Sequence, residues 1–230
     1  MATRVQWLGH SCLLIESDGV RVLIDPFLTG NPTASAGPGE VEADVILVSH
    51  GHEDHVGDTL AIARRTGSTV VANYELGLWL EGQGLDKVRG LNHGGGLQVD
   101  PAVHVRLTVA FHSSTLPGGG YGGNPCGFLV TCRDGSRIYD AADTALFGDM
   151  AMIGAGGLDL AILPIGDHYT MGPDDAIRAV KLLQPRAVLP IHFDTFPPIR
   201  QDARAWADRV AAETSSRAHL PEPGGWVDVR

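Results

Sequence analysis

Residues 45–58 read VILVSHGHEDHVGD, an apolar run broken at once by His50, His52, Asp54 and His55 in the pattern HxHxDH. The run over 45–49 has the unbroken apolar character of a strand buried on both faces, so the polar cluster leaves the strand at its carboxyl end. In extended backbone, residues i and i+2 point the same way. His50 and His52 therefore converge on one cation, and Asp54 continues that face. His55, one step further at the turn before a helix, points elsewhere and serves a second cation beside the first; metals about 3.5–4 Å apart are a recurrent catalytic pair. The competing reading is a merely solvated loop, and mutual repulsion among these histidines argues against it.

Reading outward, the chain before this motif predicts short strands over 4–8, 12–16 and 20–25, separated by a Gly-His-Ser turn and an Asp18-Gly19 hairpin turn. Residues 26–43 are crowded with Pro, Gly, Ser and Thr and predict a long loop at the rim of a site or over it. After the motif, helical and strand patterns alternate: helices over 59–65 and 74–81, strands over 69–72 and 88–91, then a turn at Gly94–Gly96. Further strands are predicted over 103–111, 127–131, 136–139, 159–163, 187–191 and 226–229, and an amphipathic helix over 200–212. Pro173, Asp174 and Asp175 open a helix that runs to Leu183, and Pro185 forbids its continuation. The alternation indicates an α/β fold, and 230 residues suit one domain spanning 1–230.

Composition narrows the function classes. With 43% hydrophobic and 19% charged residues, the chain is an ordinary globular one rather than a disordered one. Its formal net charge of −10, without a basic patch, repels nucleic acid, so a small-molecule partner is expected. The most apolar stretch, 150–166, is interrupted by Asp159 and several glycines, too broken for a membrane span of ~20 apolar residues. Glu16 and Asp18 fall where a secretion signal stays apolar, and Cys12, Cys126 and Cys132 follow no CxxC spacing. Free thiols and a cytoplasmic location are the expectation. Trp79 and Phe196, if exposed, would serve a contact between copies in a homo-oligomer.

Additional ligands should come from the ends of other strands on the same sheet edge. His112 follows HVRLTVAF, Asp143 follows SRIYDAA and His192 follows AVLPI, each directly after an apolar strand. Taken singly, each has another explanation: a hydrogen-bonded histidine, or for Asp143-Thr144 a helix N-cap.

HGHEDHVGD, AFHSS, DTALF and PIHFDTFP, in that order, resemble the ligand motifs of the metallo-β-lactamase superfamily. The likeness is closest to its small bacterial branch of metal-dependent hydrolases, related more distantly to the ascorbate-phosphate lactonase. LGHSC, IDPFLTGNP and PIGDHYTMGP extend it over almost the whole chain. The resemblance implies an α/β fold of the αββα four-layer sandwich type, two sheets with helices outside. It also implies that His50, His52 and His112 hold one metal, that Asp54, His55 and His192 hold a second, and that Asp143 bridges them. Two departures stand out. Asp140-Ala141-Ala142-Asp143 replaces the usual His-Ala-Gly-Asp, and His168 replaces an Asn. Asp140 is then expected to accept a hydrogen bond from a ligand imidazole.

The expected chemistry is metal-dependent hydrolysis. Two divalent ions set against two carboxylates and a hydroxide leave about one positive charge, and metal-bound water ionises near pH ~7, ready to attack a small ester, lactone or phosphoester. Imidazole and carboxylate donors without thiolate suit zinc first and also admit manganese, iron or nickel. Asp54, His10 and His168 are the candidate catalytic groups. His10 either contacts substrate or protonates the leaving group, or it is a turn residue bonded to backbone; His168 adds a proton donor at the rim or is a polar loop residue. Asp25 either orients a ligand or caps a turn. His93, His104, His219 and the cysteines carry no expected function. A nuclease or phosphodiesterase of the same superfamily is the alternative enzyme and would call for a basic surface; a non-catalytic metal-binding protein is the alternative outside catalysis. A diiron oxidoreductase would carry Glu where this chain has His52.

Overall fold

The computed structural model describes residues 2–230. Two seven-stranded mixed sheets face one another. The first holds β1 (Arg4–Gly9), β2 (Cys12–Ser17), β3 (Val20–Ile24), β4 (Val45–Val48), β5 (Thr69–Asn73), β6 (Val88–Leu91) and β14 (Trp226–Asp228), in the order β14-β1-β2-β3-β4-β5-β6. The second runs β13-β12-β11-β10-β9-β8-β7, from β7 (Gly96–Asp100), β8 (Val103–Val109), β9 (Cys126–Cys132), β10 (Arg137–Asp140), β11 (Leu160–Pro164), β12 (Ala187–Ile191) and β13 (Arg217–Ala218). Helices α2 (Thr59–Thr66) and α3 (Tyr74–Gly82) belong to the first half, and α4 (Met150–Gly154), α5 (Pro173–Leu183) and α6 (Ala203–Glu213) to the second.

Alternation along the strands makes the sandwich. Val5, Leu13, Ile15, Val22, Ile24, Val45 and Leu47 join the core between the sheets, while Leu14, Leu23, Ile46 and Val48 belong to a second core with Ile62, Leu76 and Leu80 of α2 and α3. All four residues of β4 are thus buried, two on each face, as its unbroken apolar sequence predicts. Asp18 and Gly19 both adopt positive φ (49° and 85°), which turns β2 into β3 as the sequence indicates.

Strand direction decides where the chain's polar loops emerge. β3, β4, β5 and β6 pair in parallel, and so do β10, β11, β12 and β13. β1 is two antiparallel steps from β3, and β8 two antiparallel steps from β10, so each shares its neighbour's direction. The carboxyl ends of β1, β3, β4, β8, β10 and β12 therefore release His10, Asp25, His50, His112, Asp143 and His192 at one edge of the molecule. Across that edge the Cys126 amide donates to the Ser49 carbonyl (3.1 Å), joining the two sheets.

Several local expectations are corrected. The extended backbone after β4 ends at His52, and Glu53–Val56 form a one-turn helix, α1, so Asp54 and His55 leave a helical turn rather than a continued strand. α6 starts at Ala203, not at 200, because Asp202 caps it by accepting from the Ala205 amide (2.9 Å), and a 3-10 turn, Pro197–Ile199, precedes it. β7, α4 and β13 carry too little periodicity to be predicted. Asp143 caps no helix; the next one opens at Met150. Trp79 and Phe196 are both half-buried rather than exposed, Trp79 against the outer core and Phe196 against His10. Among the described residues no helix is long and apolar enough to cross a membrane.

Candidate metal centre

The seven residues implied as ligands form one cluster, with His10 beside it. The donor atoms of His50, His52 and His112 lie within 4.8 Å of one another, as do those of His50, His55 and Asp143, and those of His10, Asp54, His55 and His192. Asp143 stands between: its Oδ2 is 3.0 Å from His192 Nε2, 3.3 Å from His55 Nε2 and 3.6 Å from His112 Nε2. His50, His55, Asp143 and His192 make a buried floor, whereas Asp54 keeps 31% of its side chain exposed and His52 is half-buried, so the cluster opens to solvent on that side.

The outer nitrogens of two floor histidines are held by one carboxylate. Asp25 accepts from the Ser49 amide (2.8 Å) at Oδ1, and at Oδ2 from the Ser49 hydroxyl (2.6 Å) and His55 Nδ1 (2.8 Å). Because Ser49 Oγ donates to Asp25, it accepts from His50 Nδ1 (2.9 Å). Both imidazoles are thereby held as Nδ1–H tautomers with Nε2 turned into the cluster as a lone-pair donor, as metal-ligating histidines require. His55 Nε2 and Asp143 Oδ1 are buried with no hydrogen-bond partner. Unpaired buried polar atoms are costly, and two of them in one cluster of imidazoles and carboxylates fit a cation. The donor set fits a divalent metal.

Electrostatics agree. Burial drives the His50 pKa well below its ordinary value, helped by His55, and lowers those of His52 and His112. Burial also opposes a charge on His55, but Asp143, Asp25 and Asp54 outweigh it and hold that pKa well above the usual range. For Asp143 and Asp54 burial is likewise outweighed, by His192 and His55 for the first and by His55 and the His10 hydrogen bond for the second, and both stay ionised. Three carboxylates drawing positive charge onto one buried imidazole make an environment that a metal ion satisfies better than a proton.

His10 is fully buried. Its Nε2 is 3.2 Å from Asp54 Oδ2 and its Nδ1 is 2.8 Å from Thr195 Oγ1. An ionised carboxylate only accepts, so Nε2 carries the proton and the Thr195 hydroxyl donates to Nδ1. Burial lowers the His10 pKa to about 4, which favours a neutral imidazole that holds Asp54. His168 is exposed, and its ring packs edge-on against Tyr169 (4.5 Å) rather than against the cluster. Asp140 does not touch a ligand imidazole; its Oδ1 accepts from the Ala142 amide (3.0 Å), and that orienting place belongs to Asp25. Burial, reinforced by Asp25, raises the Asp140 pKa to about 8.

The backbone is strained around the cluster. His10, Asp25, Ala142 and His192 have φ of 53°, 44°, 50° and 53°, a left-handed conformation that non-glycine residues hold only when their surroundings enforce it. Two glycines permit close approach. A Cβ at Gly57 would lie 2.4 Å from the Pro26 carbonyl, and one at Gly166 would lie 2.2 Å from the His192 carbonyl.

Sequence reasoning missed Asp58, Thr195 and Ser114. Asp58 precedes α2 like a cap, yet its carboxylate turns the other way and accepts from the amides of Leu28 and Thr29 (3.1 and 2.7 Å), pinning the 26–43 loop beside the HxHxDH turn. Ser114 accepts from the Gly51 amide (3.0 Å). No linear signal marks these residues, because the site-edge partners of their side chains, Leu28 and Thr29, His10 and Gly51, are at least 29 residues away, and the cap-like spacing of Asp58 misleads.

The β-lactamase superfamily domain profile matches residues 4–192. The UPF0173 metal-dependent hydrolase of Thermus thermophilus is 50% identical over 96% of each chain. A metallo hydrolase from Ignicoccus hospitalis superposes with a TM-score of 0.90 at 36% identity, covering 99% of this chain and 98% of its own. The metallo-β-lactamase fold protein YhfI of Bacillus subtilis shares the fold alone, with a TM-score of 0.76 at 14% identity over 99% of both chains. With its αββα architecture and its histidine- and aspartate-lined edge, the chain belongs to the β-lactamase superfamily, among the UPF0173 metal-dependent hydrolases.

Proposed function

We propose that the cluster binds two divalent cations, zinc first among them, and hydrolyses a small ester, lactone or phosphoester. His50, His52 and His112 would hold one ion, Asp54, His55 and His192 the other, and Asp143 both. Ions in such a donor set supply Lewis acidity and a water ionised near neutral pH. The chain supplies the rest. Asp25 and Ser49 keep His50 and His55 in the ligating tautomer, His10 holds Asp54 by its Nε2–H, and the buried floor keeps bulk water to the side opened by Asp54 and His52. A proton at the rim is the role left for His168, on its exposed loop. The carrying observation is the pair of unpartnered buried donors, His55 Nε2 and Asp143 Oδ1, between two groups of ligand atoms. The reading favours a small-molecule substrate over nucleic acid, in keeping with a net charge of −10.

Elemental analysis of the purified chain, after dialysis against zinc and removal of excess, tests the metal count. Two ions per chain are expected, falling to one or none in Asp143→Asn with the fold retained by circular dichroism. A wild-type chain that holds one ion, or a variant that keeps two, would refute the dinuclear reading. Hydrolysis of a panel of esters, lactones and phosphoesters that stops in Asp143→Asn completes the test.

A further inference from the structure

We propose that the substrate is an uncharged carboxylic ester or lactone with an apolar group next to the reacting carbonyl, rather than an anionic phosphoester; this rests on the hydrolase reading above. Two independent observations carry it. The first is electrostatic. Of the chain's 17 Lys and Arg residues, one, the exposed Arg200, lies in the segments that emerge at the site edge, 9–11, 25–43, 49–58, 110–125, 141–149, 165–172 and 192–202. Among the described residues, the Lys and Arg side chains that form ion pairs do so with carboxylates outside the cluster, such as Glu16, Asp44, Asp159 and Glu213. The same segments carry exposed acids, among them Glu53, Asp167 and Asp194. Asp25, bonded directly to His55, adds a third carboxylate to Asp54 and Asp143 and cancels the surplus positive charge that two cations and an ionised nucleophile would leave. Sites for phosphoryl groups supply several Arg, Lys or helix N-termini to the non-bridging oxygens; among the segments of this edge an approaching anion meets Arg200 alone, against the exposed acids.

The second observation is the surface beside Asp54. Phe27, from the 26–43 loop, and Phe196, from the loop after β12, both meet the His10 ring at 5.7 Å and each other at 6.4 Å. Both are half-buried, so part of each ring stays accessible, and both pack on the imidazole whose Nε2 holds the partly exposed Asp54 carboxylate. Asp58 anchors the first loop through the Leu28 and Thr29 amides, and the Asp194 amide donates to the Ile199 carbonyl (2.9 Å) in the second, so the pair is held in place. An apolar substituent laid against these rings leaves water while its carbonyl faces the cluster. In the reaction a water oxygen bonds to the acyl carbon as the bond to the leaving oxygen breaks. The leaving oxygen takes that electron pair and a proton, and the products are a carboxylic acid and an alcohol, or the hydroxy acid when the substrate is a lactone.

The test uses the zinc-loaded chain and esters that share one reacting centre. Compared with 4-nitrophenyl acetate, 4-nitrophenyl hexanoate should have a kcat/KM about tenfold higher, the gain expected from partial burial of its added methylenes. The mono-4-nitrophenyl ester of adipic acid, of equal chain length with a terminal carboxylate, should lose that gain through KM. Phe27→Ala and Phe196→Ala should raise KM more for the hexanoate than for the acetate, so that the preference between the two esters falls towards one, with Phe196→Leu restoring most of it. Equal or better turnover of the anionic ester, or bis(4-nitrophenyl) phosphate as the best substrate, would overturn the inference while leaving the hydrolase reading intact. If no ester or phosphoester is turned over, the hydrolase reading fails, and saturation-transfer NMR on the hexanoate decides the inference alone. Transfer to its alkyl chain that weakens in both Ala variants supports it, and no transfer overturns it.

Discussion

Replacing Asp25 by Asn should disarm one ligand in each proposed metal set without touching either ligand. The native carboxylate only accepts, and it takes three hydrogen bonds: two from Ser49 and one from His55. In Asp25→Asn the amide oxygen can keep the Ser49 amide at Oδ1, but an NH2 group replaces Oδ2 and faces the Ser49 hydroxyl and His55 Nδ1. Relief requires His55 to deprotonate Nδ1 and place its proton on Nε2. Ser49 Oγ, now an acceptor from the amide, turns its hydrogen towards His50 Nδ1, 2.9 Å away, and moves the His50 proton to Nε2 as well. Both nitrogens that face the cluster become donors and lose the lone pair a metal needs. Asn tolerates the φ of 44° at this position, so the backbone is not the cause. Loss of such an orienting partner weakens metal binding by roughly 10–100-fold, or about 1.4–2.7 kcal/mol, at each site. Ser49→Ala should disturb His50 alone and weaken one site. The assay is zinc competition against a chromophoric chelator, with thermal melting to verify the fold. Wild-type affinity at both sites in Asp25→Asn, or a larger effect from Ser49→Ala than from Asp25→Asn, would refute the tautomer argument.

Other consequences can be measured separately. Asp140 has a pKa raised from 3.8 to about 8 in the folded chain, so between those values the folded state keeps a proton that the unfolded state has lost. Its contribution to stability falls by about 1.4 kcal/mol per pH unit across that window and levels off above it. Asp140→Asn, which mimics the neutral acid, should flatten the decline in urea-unfolding free energy between pH 4 and pH 8 in chelator-treated protein; an unchanged slope would count against a neutral Asp140. Ala142→Gly should relieve the φ of 50° and gain about 1 kcal/mol, read as a melting temperature higher by ~2–4 °C, and a lower one would show that Ala142 is not strained. Thr195→Val removes the hydroxyl that donates to His10 Nδ1 and frees His10 to leave Asp54. About 1 kcal/mol of zinc affinity should be lost at the Asp54 site, and equal loss at both sites would contradict the pairing.

Much of the centre is legible along the chain because it is local. HxHxDH follows an unbroken apolar strand, and four donor residues within six positions need no tertiary argument to be noticed. The helix over 173–183 is equally local: Pro173 opens it, its first turn carries acids, and Pro185 lies beyond its end. Strand ends also announce His112, Asp143 and His192, since a polar residue directly after an apolar run marks where a loop emerges. Backbone periodicity fails at the one-turn helix Glu53–Val56, which is too short to show a period, so Asp54 leaves a helical turn rather than a continued strand, and it still joins the cluster.

The primary structure by itself therefore marked the candidate site residues and roughly where each strand stops, because alternation, turn residues and caps act over a few positions. Which loops share an edge depended on parallel and antiparallel pairing between strands far apart in the chain, since each antiparallel step reverses direction. The assignment of Asp25 rather than Asp140 to the ligand imidazoles, and the placing of Phe27 and Phe196 against His10, likewise came from packing between segments that no local pattern connects. Hydrogen bonds and ring contacts are fixed within tenths of an ångström, and only the assembled sheets set distances that fine.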